Sequence, residues 1–338
     1  MILLFFSLQL SAQKIRKTVD TIGFCTHKYQ IDSIIARTSS LYPVEQNNNL
    51  PWKLAVCTHD DYAYAAGLYA EVLQNVKAKI VIIFAVSHKA RLFGHENKIV
   101  FDSYDAWDAP AGPVPVSPLR DQLISLLPKD DYTISDSSQC IEHSAEAMVP
   151  FLQYFNPTVQ IVPILIPYMS WNMQLSIASR FADALNLIMN KKRMRLGKDV
   201  CILISNDAVH YGDKDWGAKF YAPFGVDSAG YKLMLMKEKS LMDSVFSSEL
   251  DTARIHYLFN SLTQPNNYKE YKRTWCGRYS VPFGMLVASF LNTEMKLTIT
   301  DYATSLGGAG IPIDEINIGK TADASLRHWV GYLIAAYQ

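Results

Sequence analysis

The chain has 338 residues, of which 49% are hydrophobic and 19% are charged, so it can bury a large core and is neither disordered nor fibrous. Lys plus Arg and Asp plus Glu each total 32, which gives a formal net charge of zero. A neutral chain is not suited to binding nucleic acid by neutralising phosphates, so nucleic acid is not an expected partner. No apolar run reaches the roughly 18 residues of a membrane-spanning helix, so no membrane span is expected.

The first twelve residues are strongly apolar and end in the small pair Ser11-Ala12, as a cleaved export signal does, although no basic residue precedes the apolar run. We therefore expect residues 1–12 to be a signal peptide and the protein to be periplasmic or extracellular. The alternative is a buried N-terminal strand in a cytoplasmic protein. Five scattered cysteines without a Cys-x-x-Cys pair predict neither a disulfide scaffold nor a zinc ribbon.

Beyond residue 50, short apolar runs alternate with longer helical patterns, which is typical of an α/β layer structure. Strands are predicted, in chain order, at Leu54–Thr58, Lys79–Ser87, Lys98–Asp102, Gln160–Ile166, Asp199–Asn206, Lys296–Asp301 and His328–Ala336. Helices are predicted at Tyr62–Val76, Pro118–Leu126, Ser144–Tyr154, Trp171–Asn190, Ser228–Phe246 and Val281–Leu291. Pro163 and Pro167 cannot donate to a ladder, so their strand, or its end, is expected at a sheet edge or bulge. No linker or repeat divides the chain, which indicates one α/β domain with a mostly parallel or mixed central sheet flanked by helices.

Three polar clusters follow predicted strands directly. They are His59-Asp60-Asp61, Ser87-His88 and the segment from Ser205 to His210, which includes Asp207. Ligands of open α/β sheets bind outside the carboxyl ends of the strands, so these clusters are expected to meet in one crevice. Imidazole and carboxylate groups together are suited to metal binding or to acid/base chemistry.

A fourth cluster, from Glu142 through His143 and Ser144 to Glu146, allows two interpretations. Ser144 and the two glutamates can cap and stabilise the start of the following helix. Alternatively, Glu142 or His143 faces the crevice and orients a ligand imidazole.

A fifth cluster contains Cys276 and Arg278 immediately before a predicted helix. A thiol beside an arginine and a helix N-terminus favours the thiolate, which suits a soft metal ligand or a nucleophile, whereas the alternative is a small buried apolar residue. Zincin, α/β-hydrolase and Walker motifs are absent from the sequence. What remains is a nonlocal site of two histidines with a cysteine or a carboxylate.

The order of these clusters resembles the Memo family, whose bacterial members are often labelled AmmeMemoRadiSam system protein B. The resemblance runs from about residue 20 to the C-terminus, so residues 20–338 are expected to form a Memo-like α/β domain. The segments that carry it are Cys57-Thr58-His59-Asp60-Asp61-Tyr62-Ala63-Tyr64, Phe84-Ala85-Val86-Ser87-His88, Glu142-His143-Ser144 with Glu146, Ser205-Asn206-Asp207 with His210-Tyr211-Gly212, and Cys276-Gly277-Arg278. Asp60-Asp61 and Lys89 depart from the family pattern and add charge near the crevice.

The resemblance implies a fold like that of class III extradiol dioxygenases. It implies that His59, His88 and Cys276 bind one Fe(II) or Cu ion, and that His210 and Asp207 act as acid/base and orienting groups. The expected function is redox or dioxygenase-type chemistry on a small molecule, and the family also suggests radical-SAM and AMMECR-type partner proteins. The alternatives are a non-catalytic scaffold that binds a metal, a peptide or another ligand, and a metal-dependent hydrolase.

Overall fold

The structure is a computed structural model that describes residues 13–42, 50–213, 220–246, 249–291 and 294–338. The expected signal peptide at residues 1–12 lies outside the described residues. Within the described part of the chain, no helix combines the length and the apolar character needed to cross a membrane.

The strands and helices alternate through most of the chain. The strands are β1 (Ile15–Arg16), β2 (Leu54–Cys57), β3 (Ile80–Val86), β4 (Ile99–Phe101), β5 (Ala106–Trp107), β6 (Val114–Pro115), β7 (Tyr132–Ile134), β8 (Gln160–Ile166), β9 (Val200–Ser205), β10 (His210–Gly212), β11 (Thr263–Gln264), β12 (Asn267–Tyr271), β13 (Leu297–Thr304) and β14 (His328–Tyr337). The helices are α1 (Lys28–Leu41), α2 (Tyr62–Leu73), α3 (Ala90–Phe93), α4 (Leu119–Leu126), α5 (Asp136–Gln139), α6 (Val149–Phe155), α7 (Trp171–Lys192), α8 (Ser228–Val245), α9 (Thr252–Leu262) and α10 (Ser280–Phe290), with a 3₁₀ turn at Glu146–Met148 before α6.

A nine-stranded sheet forms the centre of the fold, in the order β10-β14-β2-β9-β3-β8-β4-β7, and β13 pairs with the edge of β14 opposite β2. The four middle strands β2, β9, β3 and β8 run parallel to one another. Antiparallel pairing begins at β14 on one side and at β4 on the other. The prediction of a single α/β domain with a mixed central sheet flanked by helices is therefore confirmed.

Helices cover both faces of the sheet. Leu54 and Val56 of β2 belong to the core that α7 and α10 share, whereas Ala55 and Cys57 belong to the core under α1, α2 and α6. Successive strand residues point to opposite faces, so a strand buried on both sides is apolar throughout. This explains why the parallel strands are the clearest apolar runs of the sequence.

The predicted strands and helices are all present, and their ends agree within three residues, except that Ser144–Tyr154 divides into the 3₁₀ turn and α6. β8 as a whole is not an edge strand, because it lies between β3 and β4. The ladder with β4 covers only Ile164 and Leu165 of β8, so Pro163 lies just outside that ladder.

Candidate metal centre

The carboxyl ends of β2, β9 and β3 are adjacent in the sheet and point in the same direction. His59, Asp207 and His88 follow these three ends by two residues each. A cavity of about 310 Å³ opens there, and its lining includes all three residues together with His143, His210 and Cys276. The clusters predicted from the strand ends therefore meet in one crevice, and the segment containing Cys276 joins them.

His59 is held by hydrogen bonds that decide which ring nitrogen faces the cavity. Ser205 Oγ donates its proton to the Ser144 carbonyl at 2.7 Å, so it accepts from Nδ1 of His59, which also lies at 2.7 Å. Nε2 of His59 is then the ring atom that remains for another partner. It is buried, has no hydrogen-bond partner among the described residues, and lies 3.2 Å from Asp207 Oδ2.

Asp207 supports the loop that carries His59. Its Oδ1 accepts the His59 backbone N–H at 3.0 Å and also accepts the hydroxyl proton of Thr58. The Asp207 carbonyl accepts the backbone N–H of Cys276 at 3.0 Å. One residue after β9 therefore links the loops of the first and the last predicted ligand.

His88 is oriented by Glu142. Glu142 Oε1 lies 2.8 Å from His88 Nδ1, and Oε2 accepts the His88 backbone N–H at 2.7 Å. A carboxylate only accepts, so Nδ1 is the donor and Nε2 is the ring atom that remains for another ligand. Burial disfavours a charged ring, but Glu142 and the Cys276 thiol outweigh it and raise the pKa of His88 well above its ordinary value.

His143 packs flat against His88, with ring centroids 4.9 Å apart and an interplanar angle of 8°. Burial, together with the neighbouring imidazole of His88, lowers the pKa of His143 to about 4. His143 is therefore a neutral ring at physiological pH. Of the two interpretations of this segment, the geometry agrees with the one in which Glu142 orients an imidazole. Ser144 is not a helix cap, because its hydroxyl donates to the Val86 carbonyl at 2.7 Å.

Cys276 and His210 form a close pair, with Sγ 2.9 Å from Nε2. Burial alone would raise the pKa of the Cys276 thiol, but the charge of His210 and hydrogen bonds from the surrounding imidazoles lower it well below the ordinary value. Burial likewise favours neutral His210, but the thiolate outweighs it and raises the pKa of His210 to about 9. Each group therefore stabilises the charged form of the other, the thiolate of Cys276 and the imidazolium of His210.

The donor atoms of His59, His88 and Cys276 all lie within 4.8 Å of one another. Two further groups meet the same distance criterion, namely His88 with Glu142 and His143, and Asp207 with His210 and Cys276. The first group could hold a metal ion, because Ser205 and Glu142 engage the two Nδ1 atoms, which leaves Nε2 of both imidazoles, and the lowered pKa of Cys276 favours the thiolate. Such donors suit one ion at the ~2.0–2.3 Å typical of nitrogen and sulfur ligands.

Several residues that shape the crevice have no motif of their own. Tyr271, Thr274, Thr321 and Val330 line the cavity from loops and strands far along the chain. Asp60 also lines it, and burial together with neighbouring carboxylates raises the pKa of Asp60 to about 7. The adjacency of Asp60 to His59 was the only sequence signal for any of them.

Fold and crevice together define an α/β protein with a cluster of histidine, cysteine and carboxylate groups at the carboxyl edge of a mixed sheet. A family profile described as Memo-like protein matches residues 26–311, and the chain belongs to the Memo family.

The chain is also similar to curated relatives that carry the name MEMO1 family protein. One from Saccharolobus islandicus is 30% identical over 177 residues, which is 50% of this chain and 56% of the relative. One from Caldivirga maquilingensis is 26% identical over 162 residues, 46% of this chain and 52% of the relative. One from Methanobrevibacter smithii is 27% identical over 176 residues, 50% of this chain and 57% of the relative. The chain thus spans little more than half the length of these relatives.

Proposed function

We propose that this protein is a metalloprotein that holds one Fe(II) or Cu ion through His59, His88 and Cys276 and performs redox or dioxygenase-type chemistry on a small molecule. The observation that carries the proposal is the convergence of three donor atoms within 4.8 Å. Neighbouring residues already fix the ring nitrogen that each imidazole presents. Family membership supports the assignment of the same residues.

The donor set suits a redox-active ion. Imidazole binds both iron and copper, and a thiolate in place of a carboxylate favours a softer or more reduced ion. When bound, such an ion supplies electron transfer and a site where oxygen and an organic ligand come together. To coordinate an ion, His88 would have to release the proton on its Nε2, because coordination uses the lone pair of that nitrogen.

The remaining residues of the crevice position groups and hold protons. Glu142 fixes the ring of His88, Ser205 fixes that of His59, and Asp207 braces the loops of His59 and Cys276. His210 carries a proton on the cavity side, where it is suited to donate to a ligand atom or to take a proton from it. We assign the acid/base role to His210 and a positioning role to Asp207.

Metal analysis of anaerobically purified protein tests the ligand set. We expect about one iron or copper per chain in the wild type and loss of that metal in His59→Ala, His88→Ala and Cys276→Ser. Cys140→Ser is the matched control, because Cys140 is a half-buried cysteine outside the crevice. Retention of metal by His88→Ala would contradict the proposal.

Oxygen uptake by the metal-loaded protein over a panel of small aromatic and aliphatic compounds tests the reaction type. We expect consumption that depends on His210. Turnover that persists without oxygen would favour the metal-dependent hydrolase, for which the proximity of Asp207, His210 and Cys276 is the supporting observation. Full metal occupancy without any turnover would favour a non-catalytic scaffold that binds a metal, a peptide or another ligand. Export and the radical-SAM and AMMECR-type partners stay predictions.

A further inference from the structure

A second, smaller cavity of about 60 Å³ lies beside the candidate metal centre. It shares His88, Cys276 and Tyr271 with the larger cavity, so these residues form a common wall. Its far side includes Arg278 and Ser87. The space exceeds the roughly 10–15 Å³ that one water molecule needs, so it can hold a small functional group of a ligand.

Arg278 has an unusual environment in this small cavity. The residue is 5% exposed, and its Nε has no hydrogen-bond partner among the described residues. Its guanidinium carbon lies 3.6 Å from the ring centroid of Tyr271, 4.7 Å from that of Tyr279 and 5.6 Å from that of Tyr168. No carboxylate in the described part of the chain forms an ion pair with it.

A buried cation without a counter-ion is costly, because it gives up hydration and receives no opposite charge in return. The tyrosine rings stabilise the flat faces of the guanidinium, and the hydroxyls of Tyr271 and Tyr279 interact with its N–H groups, but Nε is left without a partner among the described residues. Ser87 Oγ, a second buried polar atom of this cavity, also has no partner among the residues that the structure describes. The cavity therefore contains one guanidinium N–H and one hydroxyl that lack partners among the described residues.

We propose that Arg278 and Ser87 bind a carboxylate of the small molecule whose body occupies the larger cavity. A guanidinium edge binds a planar carboxylate through two parallel hydrogen bonds, and the gap between tyrosine rings suits a flat group. The ligand class is thus a small organic acid. That this acid is the substrate of the metal centre rests on the proposed function. That Arg278 binds a carboxylate does not depend on the proposed function.

Calorimetric titration with benzoate tests the subsite, with benzamide as the neutral analogue and phenyl phosphate as the tetrahedral one. We expect wild type to bind benzoate roughly tenfold or more tightly than benzamide, and Arg278→Met to lose that preference. Arg278→Lys keeps the charge without the paired donors and should bind benzoate more weakly than wild type. Arg91→Met is the matched control, because Arg91 lies 5.4 Å from the same Tyr168 ring but is exposed.

Thermal unfolding establishes that each variant is folded before it is titrated. The proposal is overturned if Arg278→Met and Arg278→Lys both bind benzoate as wild type does, if benzamide binds equally well, or if phenyl phosphate binds tenfold more tightly. Absence of benzoate binding by wild type counts against it equally. Titrations of metal-free and metal-loaded protein separate the two proposals. If a protein that takes up no metal still binds benzoate through Arg278, the subsite is supported and the metal centre is refuted. If the protein takes up metal but shows no such binding, the metal centre is supported and the subsite is refuted.

Discussion

Glu142 and His88 are joined by two hydrogen bonds, one to the ring at 2.8 Å and one to the backbone N–H at 2.7 Å. Glu142→Gln keeps the shape but loses the charge that holds the proton on His88 Nδ1. We expect it to weaken metal affinity roughly 10–100-fold, as loss of such orienting partners commonly does. Competition titration against a chromophoric chelator measures the effect, with exposed Glu294→Gln as the control. Wild-type affinity in Glu142→Gln would show that the pair has no orienting role.

The close contact between Cys276 and His210 predicts an unusually reactive thiol in metal-free protein. Because the pKa of Cys276 is lowered, its thiolate should persist to lower pH than that of an ordinary cysteine. Iodoacetamide alkylation in a Cys140→Ser background measures this as a rate against pH. We expect His210→Ala to move the profile to higher pH and to slow alkylation at pH 7 roughly tenfold. Identical profiles for the two proteins would contradict the thiolate assignment.

Arg16 joins the N-terminal strand to the segment that carries Glu142. Its guanidinium forms a buried ion pair with Glu146, donates to the carbonyls of Glu142 and Gln139, and stacks over Trp107 at 4.1 Å. Arg16→Met leaves the Glu146 carboxylate buried without its partner, so we expect a loss of about 3–5 kcal/mol in the free energy of unfolding.

Urea denaturation of Arg16→Met, Glu146→Gln and the double variant measures the cost of breaking this pair. The double variant should be more stable than Arg16→Met, because the uncompensated carboxylate is gone. If the double variant is as unstable as the sum of the single variants, the ion pair is not the cause. Arg16 precedes the residues matched by the family profile, so this contact belongs to a part of the chain that family membership does not describe.

Glu71 on α2 provides a pH-dependent contribution to stability. Burial, with a further contribution from Asp301, raises the pKa of Glu71 to about 7. A group with a raised pKa stabilises the fold fully below its unfolded pKa, and that contribution disappears as the pH rises through about 7. We therefore expect the melting temperature of wild type, relative to that of Glu71→Gln, to fall between pH 5 and pH 8. Asp301→Asn should lessen the fall, and parallel pH profiles for wild type and Glu71→Gln would exclude this effect.

The parallel strands and the crevice at their ends were predictable for the same physical reason. Strands buried on both faces must be apolar throughout, so His59, His88 and Asp207 are conspicuous where those runs stop. α9 was also within reach, because Ile255 and Leu258 lie on one face at helical spacing and both are buried. α9 is nevertheless not among the helices predicted from the sequence.

Other features depend on contacts that no local pattern reveals. α1 has Ile31, Ile34 and Ile35 at helical spacing on its buried face, but the same face includes Gln30, whose side-chain amide donates to the Ile316 carbonyl across the chain, a contact that the sequence does not reveal. Arg278 was read as a neighbour that favours the Cys276 thiolate. In the structure its own surroundings are tyrosine rings from three separate positions, an arrangement that only tertiary structure creates.

The position of β14 has a practical consequence for anyone who trims this protein. β14 lies between β13 on one edge and β2 with β10 on the other, although it is the last strand of the described residues and lies outside the residues that the family profile matches. A fragment limited to residues 26–311 would leave β2 as an open sheet edge, and an exposed edge invites intermolecular pairing and aggregation. Because His59 directly follows β2, the fragment would also lack the strand pairing that positions its first candidate ligand. We therefore expect expression boundaries drawn from the family match alone to give insoluble protein.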